Sequence, residues 1–216
     1  MNGHRPVSEA ISIAAPNFQT GLFRIRGVAP YVQNRFSQKA QEQMHEQQAA
    51  GSTAKKGRKR DPKDFDAAYE GAKHLSIEGW HGIPAPAFRN AMISACRTVG
   101  FQMTKAKLAV FVEPDGFDVV DSTPLVRITK GEPHLHETIG RNATGVVDLR
   151  VRPMWDPGWE ADVRVRFDAD MFTLADVANL MVRVGLQVGI GEGRPDSRAS
   201  AGQGWGLFEL VSKDEI

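Results

Sequence analysis

Three sets of cationic residues are the parts of this chain best suited to chemistry, and that chemistry is phosphate recognition. The first is residues 55–60, where Lys55, Lys56, Arg58, Lys59 and Arg60 leave only Gly57 uncharged. Such a segment is a solvated loop, a nuclear localisation signal, or a basic finger that orders along a phosphate backbone. The second set alternates with apolar residues: Arg24 and Arg26, Arg150 and Arg152, Arg164 and Arg166. The third lies in a glycine-rich stretch, residues 189–206, which carries Arg194, Arg198 and Trp205. Glycine lets a backbone take φ > 0 and approach another surface closely. Exposed N–H groups and guanidinium forks both suit phosphate, so the stretch is either an anion cradle or a plain connector. No Gly-Lys-Ser/Thr follows it, which removes a nucleoside-triphosphate loop. Trp205 is either a stacking surface or a core residue, and Trp80 has the same two roles open to it.

Catalytic chemistry is less well supplied. His81 is the candidate general acid or base for metal-independent RNA cleavage, against the plainer role of a turn histidine packed beside Trp80. The chain shows neither a nucleophile triad nor a set of acids arranged for two metal ions. His134 and His136, followed by Glu137, are spaced like metal ligands, but no further residues complete a site. The single cysteine, Cys96, excludes an intramolecular disulfide and a cysteine-only zinc site. The sequence therefore predicts a binding protein with no catalytic residues, no metal and no cofactor.

The chain of 216 residues is 41% hydrophobic and carries a net charge of +1. That balance implies a real core and no global attraction to polyanions, so any nucleic-acid binding must come from local basic clusters. No apolar run approaches the roughly 20 residues of a membrane span, and no signal-peptide layout opens the chain. A protein without a membrane partner, located in the cytoplasm, is the expectation.

Alternation and helical spacing give the elements that must position these groups. Residues 21–28 form a strand with Phe23 and Ile25 on one face and Arg24 and Arg26 on the other. Residues 37–72 form an inserted basic, partly helical finger, with a helix over 64–72. Residues 86–99 form a helix with Phe88, Ala91, Met92, Ala95, Cys96 and Val99 on one stripe, stopped by Gly100. Residues 101–146 form an inserted β-rich sub-structure that ends in a polar loop over 130–145. Residues 147–153 and 161–167 alternate around Asp156-Pro157-Gly158, which predicts a hairpin. Thr173 caps a helix over 173–184 ended by Gly185, and a last strand covers 205–211.

With the two long insertions set aside, the order is β-α-β-β-α-β. This predicts an α+β chain with a ferredoxin-like βαββαβ (RRM-like) core, as one domain over 1–216. In that arrangement the first and third strands lie side by side, with 147–153 as their outer neighbour. Six arginines would then share the free sheet face with only Asp148 and Asp162. The cationic excess favours nucleic acid over a merely solvated face.

The chain also resembles the RAMP superfamily, ferredoxin-like proteins that include the backbone subunits of CRISPR effector complexes. Three motifs carry the resemblance. They are Phe23-Arg24-Ile25-Arg26-Gly27-Val28-Ala29-Pro30, the helix opening Gly82-Ile83-Pro84-Ala85-Pro86-Ala87-Phe88-Arg89, and the glycine-rich stretch before the final strand. The helix opening has Ala-Pro-Ala where small serines and glycine are common in the family. The resemblance covers about half of the chain. It implies binding of single-stranded RNA or DNA, with copies side by side as a homo-oligomer or filament. It also assigns the family's helix-start cation to Arg89. The alternatives are a RAMP-type endoribonuclease using His81 and a structural assembly subunit of a phage or effector particle.

Overall fold

The computed structural model describes residues 13–35, 64–141, 147–197 and 202–212. The basic residues 55–60, Arg198 and residues 37–63 of the expected finger lie outside them. The chain is a mixed α+β protein with two antiparallel sheets and four α-helices among the described residues. In chain order these are β1 (Phe18–Gly27), β2 (Tyr31–Val32), α1 (Phe65–Gly71), β3 (Gly82–Pro84), α2 (Ala85–Ala95), α3 (Met103–Ala109), β4 (Val110–Glu113), β5 (Gly116–Phe117), β6 (Pro124–Lys130), β7 (His134–Arg141), β8 (Val147–Trp155), β9 (Glu160–Asp168), α4 (Leu174–Arg183) and β10 (Phe208–Leu210). None of these helices is long and apolar enough to cross a membrane.

The main sheet runs β10-β1-β9-β6-β3, with β4 also paired to β9 and β5 to β6. Its centre is the long antiparallel pair β1–β9, in register from Phe18 opposite Asp168 to Arg26 opposite Glu160. Phe23, Ile25, Val163, Val165 and Phe167 point to one side, where they meet Phe88 and Met92 of α2, Met181 of α4 and Phe208 of β10. The predicted alternation in these two strands therefore holds, and it places the core between this sheet and its two helices.

Both core helices start and stop for local reasons. Pro86 occupies the first turn of α2, where its missing N–H removes nothing. The helix tightens into a 3-10 turn over Cys96–Val99 and ends at Gly100, whose φ is 70°. Thr173 and Asp176 form a reciprocal capping box at the start of α4. In α1, Asp64 accepts from Ala67 N at 2.9 Å, so the helix expected over 64–72 is present and side-chain capped.

Four expectations are corrected. Residues 147–153 do not enter the main sheet. β8 pairs with β7 and β2 in a separate three-stranded sheet, and the 147–167 hairpin is absent. The reason is that both edges of β9 are taken, by β1 on one side and by β4 and β6 on the other. Residues 101–146 are accordingly woven into the main sheet through β4 and β6. The polar loop over 130–145 is in part a strand, β7, whose eight residues pair with β8. Finally, Gly185 does not end α4. The helix continues as a π turn over Val184–Val188 and stops at Gly189. Gly185 instead lets β10 approach, because a Cβ there would overlap the Phe208 carbonyl.

That last contact gives a test with an unusual sign. In a solvated helix, Gly→Ala gains about 1 kcal/mol. Here Gly185→Ala is expected to destabilise by about 2–3 kcal/mol through overpacking against backbone. Chemical denaturation measures it, and a stabilised variant would contradict the close approach.

Candidate nucleic-acid interface

The glycine-rich stretch is a hub of the fold before it is anything else. Ile190 N donates to Gly206 O, Gly206 N to Pro30 O, and Glu192 N to Val32 O. A Cβ at Gly206 would overlap Ile190 O, and one at Gly191 would meet Val32 O. These glycines carry φ of 69° and 78°. Much of the stretch's N–H capacity is thus spent inside the protein, which removes the simple anion cradle at those positions.

What the stretch does build is one wall of a groove of about 740 Å³. The facing wall is the outer side of α2, with Asn90, Ser94 and Arg97, extended by Lys107 of α3 and by Asn34 and His74. Arg194 stands on the glycine-rich side, held by Nη1–H to Gly191 O at 3.0 Å. Two carboxylates line the groove, and both are engaged. Asp196 accepts from the Ser94 hydroxyl and from Arg97 Nη2, 2.6 Å away. Those bonds, the Ser94 hydroxyl first, hold Asp196 below the usual carboxylate range against the opposing effect of burial. Glu192 takes Arg152 Nε at 2.7 Å and Arg150 Nη1 at 3.9 Å. The groove and its rim therefore bring Arg97, Lys107, Arg150, Arg152 and Arg194 against Glu192 and Asp196.

The free face of the main sheet is organised differently. Arg24 holds Asp162 through two bonds of 2.8 and 2.9 Å, and Arg26 holds Glu160 at 3.0 Å. Arg164 pairs with Asp115, and Glu209 stands opposite Arg26. The hydrogen bond from Arg24, ahead of the other causes, keeps Asp162 below the usual carboxylate range. The expected cationic excess on this face is therefore not there. Cross-strand ion pairs balance it, and the excess lies at the groove, to which β8 delivers Arg150 and Arg152.

Arg89 and Arg166 are exceptions. Neither forms an ion pair among the described residues. Arg166 lies 5.1 Å from the centroid of Phe18 and 5.2 Å from that of Phe111, and Arg89 lies 4.7 Å from Phe111. Arg89 also donates to Val110 O and Lys107 O, closing the C-terminal end of α3. The sequence reading missed Phe18 and Phe111. The usable signal for Phe18 was its alternation in step with Arg24 and Arg26 on β1; β4 carries no arginine to mark Phe111.

Trp205 is half-buried, packed on Gly193 with its ring edge-on to His136 at 5.5 Å. Trp80 lies against Gly82 and Gly116 and donates to Glu78 Oε2 at 3.0 Å. His81 packs against Trp155 rather than Trp80, with centroids 5.5 Å apart, and is not among the residues lining the groove. Its Nδ1 is buried without a hydrogen-bond partner among the described residues. His134, His136 and Glu137 gather no cluster of three or more potential ligands, nor do other described residues.

Burial, reinforced by Lys73, lowers the His81 pKa below 6.5 against weaker pulls from Glu132 and Glu70. The unfolded chain therefore takes up a proton before the folded one does. Stability is expected to fall as pH drops below about 6.5, then level off under the folded-state value. Denaturation midpoints across that window should show a shallower slope in His81→Gln, and an unchanged slope would contradict the assignment.

Comparison with protein-family models and with curated proteins finds no match to this chain.

Proposed function

We propose that this protein binds single-stranded RNA or DNA, gripping the phosphate backbone along the groove between α2 and the glycine-rich stretch. The observation that carries it is the convergence of Arg97, Lys107, Arg150, Arg152 and Arg194, from four separate parts of the chain, on a groove with two already engaged carboxylates. Guanidinium and ammonium groups so placed neutralise phosphates without reading base edges.

The sheet order supports the same conclusion. We read β10-β1-β9 with β4 beside β9, α2 falling between β1 and β4 in sequence and α4 between β9 and β10, as a ferredoxin-like split βαβ core to which β6 and β3 are added. The second-strand position falls to β4 instead of residues 147–153. On that alignment Arg89 sits near the start of the first core helix and the glycine-rich stretch precedes the last strand, as the RAMP resemblance implies. The proposal includes copies of the protein side by side along one strand, with residues 55–60 reaching the backbone or the neighbouring copy.

Fluorescence anisotropy with labelled single strands of mixed sequence tests the proposal. Saturable binding that varies little with sequence is expected, and absence of binding at low salt overturns it.

A further inference from the structure

The free face of the main sheet holds an aromatic site that the charge pattern alone does not explain. Phe18 of β1, Arg166 of β9 and Phe111 of β4 stand on the same face of three neighbouring strands, since Arg166 is registered with both Thr20 and Phe111. Phe18 and Phe111 meet edge to face at 5.7 Å. Phe18 is 38% exposed, and Leu22, two residues along the same face, is 63% exposed. Large apolar side chains on the solvent face of a sheet are costly to leave bare when core positions are available. Arg24, Arg26, Lys130 and Arg164 on this face are held by carboxylates, and Arg127 of β6 lies 5.9 Å from the Trp80 ring. Arg166 and Arg89 instead lie against the rings, with no acid partner among the described residues.

We infer that this cluster is a base-stacking site for unpaired nucleotides. The inference rests on the nucleic-acid function proposed above and adds a second mode of contact to it. Phenyl rings and guanidinium planes both offer flat π surfaces to any base, and the two arginines offer charge to the flanking phosphates. Arg89 links the site to the groove. Arg89 donates to Lys107 O, and Lys107 lines the groove, so a strand leaving the groove rounds the β4 edge and arrives at Phe111. Helix α2 and the 3-10 turn that continues it thus contribute to both contacts, with Arg97 in the groove and Arg89 at the rings.

The test compares a single-stranded oligonucleotide with an abasic strand of the same length and charge. Wild type is expected to bind the base-bearing strand about tenfold more tightly, within the range that stacking supplies. Phe18→Ala, at the exposed start of β1, and Phe111→Leu, which keeps bulk on β4, should each shrink that ratio. Affinity for the abasic strand should stay unchanged. Equal wild-type affinity for the two strands overturns the stacking site while leaving backbone binding in the groove intact. So do variants that weaken both strands equally. If wild type binds neither strand, the stacking site and the proposed function fall together.

Discussion

Asp118→Ala is expected to destabilise the protein by about 3–5 kcal/mol, the range for removing one partner of a buried ion pair. The Asp118 side chain is fully buried, and that of Arg35 is only 8% exposed. Asp118 Oδ2 lies 2.8 Å from His74 Nδ1, while Oδ1 accepts from Val120 N at 2.8 Å and stands 3.6 Å from Arg35 Nη2. Asp121 is 3.5 Å from Arg35 Nε. At those distances the guanidinium is attracted to two carboxylates without a hydrogen bond to either, and its Nε and Nη2 have no hydrogen-bond partner among the described residues. Without Asp118 most of that attraction is lost while the Arg35 charge stays buried. Two further bonds raise the stakes. His74 N donates to Gln33 Oε1, and Gln33 Nε2 donates to Gly82 O, so the network joins the strand leading into α2 to one wall of the groove. Urea denaturation should show the loss as a lower midpoint, with Asp118→Asn less affected because an amide still accepts from Val120 N. A loss under about 1 kcal/mol would mean that Arg35 escapes to solvent when its partner is removed.

The second large effect concerns binding. Replacing Arg97, Lys107 and Arg194 together with glutamine is expected to lower affinity for every single strand alike, by about 100-fold at low salt. Each lost phosphate contact removes about 0.7 from the salt slope of single-strand binding, so the triple variant should be shallower by about 2. Arg97 acts through more than charge, because it also holds Asp196. The Lys107→Gln and Arg194→Gln pair guards against that, since neither residue holds a carboxylate among the described residues. A variant that shifts sequence preference, with affinity otherwise kept, would contradict backbone recognition.

The elements most legible in the sequence were those with an uninterrupted period. Phe23 and Ile25 against Arg24 and Arg26, or Val163 and Val165 against Arg164 and Arg166, fix which face is buried. α2 and α4 follow from their stripes and from Pro86, Gly100 and Thr173. Strand partners were not legible. Residues 147–155 alternate as cleanly as any strand, but alternation does not say which edge is vacant, and β9 had none. The short β4 carries the pairing that was assigned to β8, because its four residues follow a helix and lie against β9.

The same limit explains the site. Arginines could be located on faces, but their acid partners come from other strands and from loops. Asp162 and Glu160 are cross-strand neighbours of Arg24 and Arg26, whereas Asp115 and Glu192 reach Arg164 and Arg152 from distant turns. Only the assembled chain tells an arginine matched by its own carboxylate, as Arg24 is by Asp162, from arginines that share one, as Arg150 and Arg152 share Glu192. Glycine had a similar ambiguity. Gly191 and Gly206 look like parts of an anion loop in sequence, yet their missing side chains make room for Val32 O and Ile190 O.

The account turns on charge at the groove, so the measurement that tests it most directly is the salt dependence of single-strand binding. Affinity for one labelled oligonucleotide, followed from ~50 to ~200 mM salt, should fall along a straight line in a log–log plot. A slope of about −3 to −4 is expected if Arg97, Lys107, Arg194 and the paired arginines of β8 release counterions together. A slope near zero, or no binding at the lowest salt, would contradict a phosphate-gripping groove.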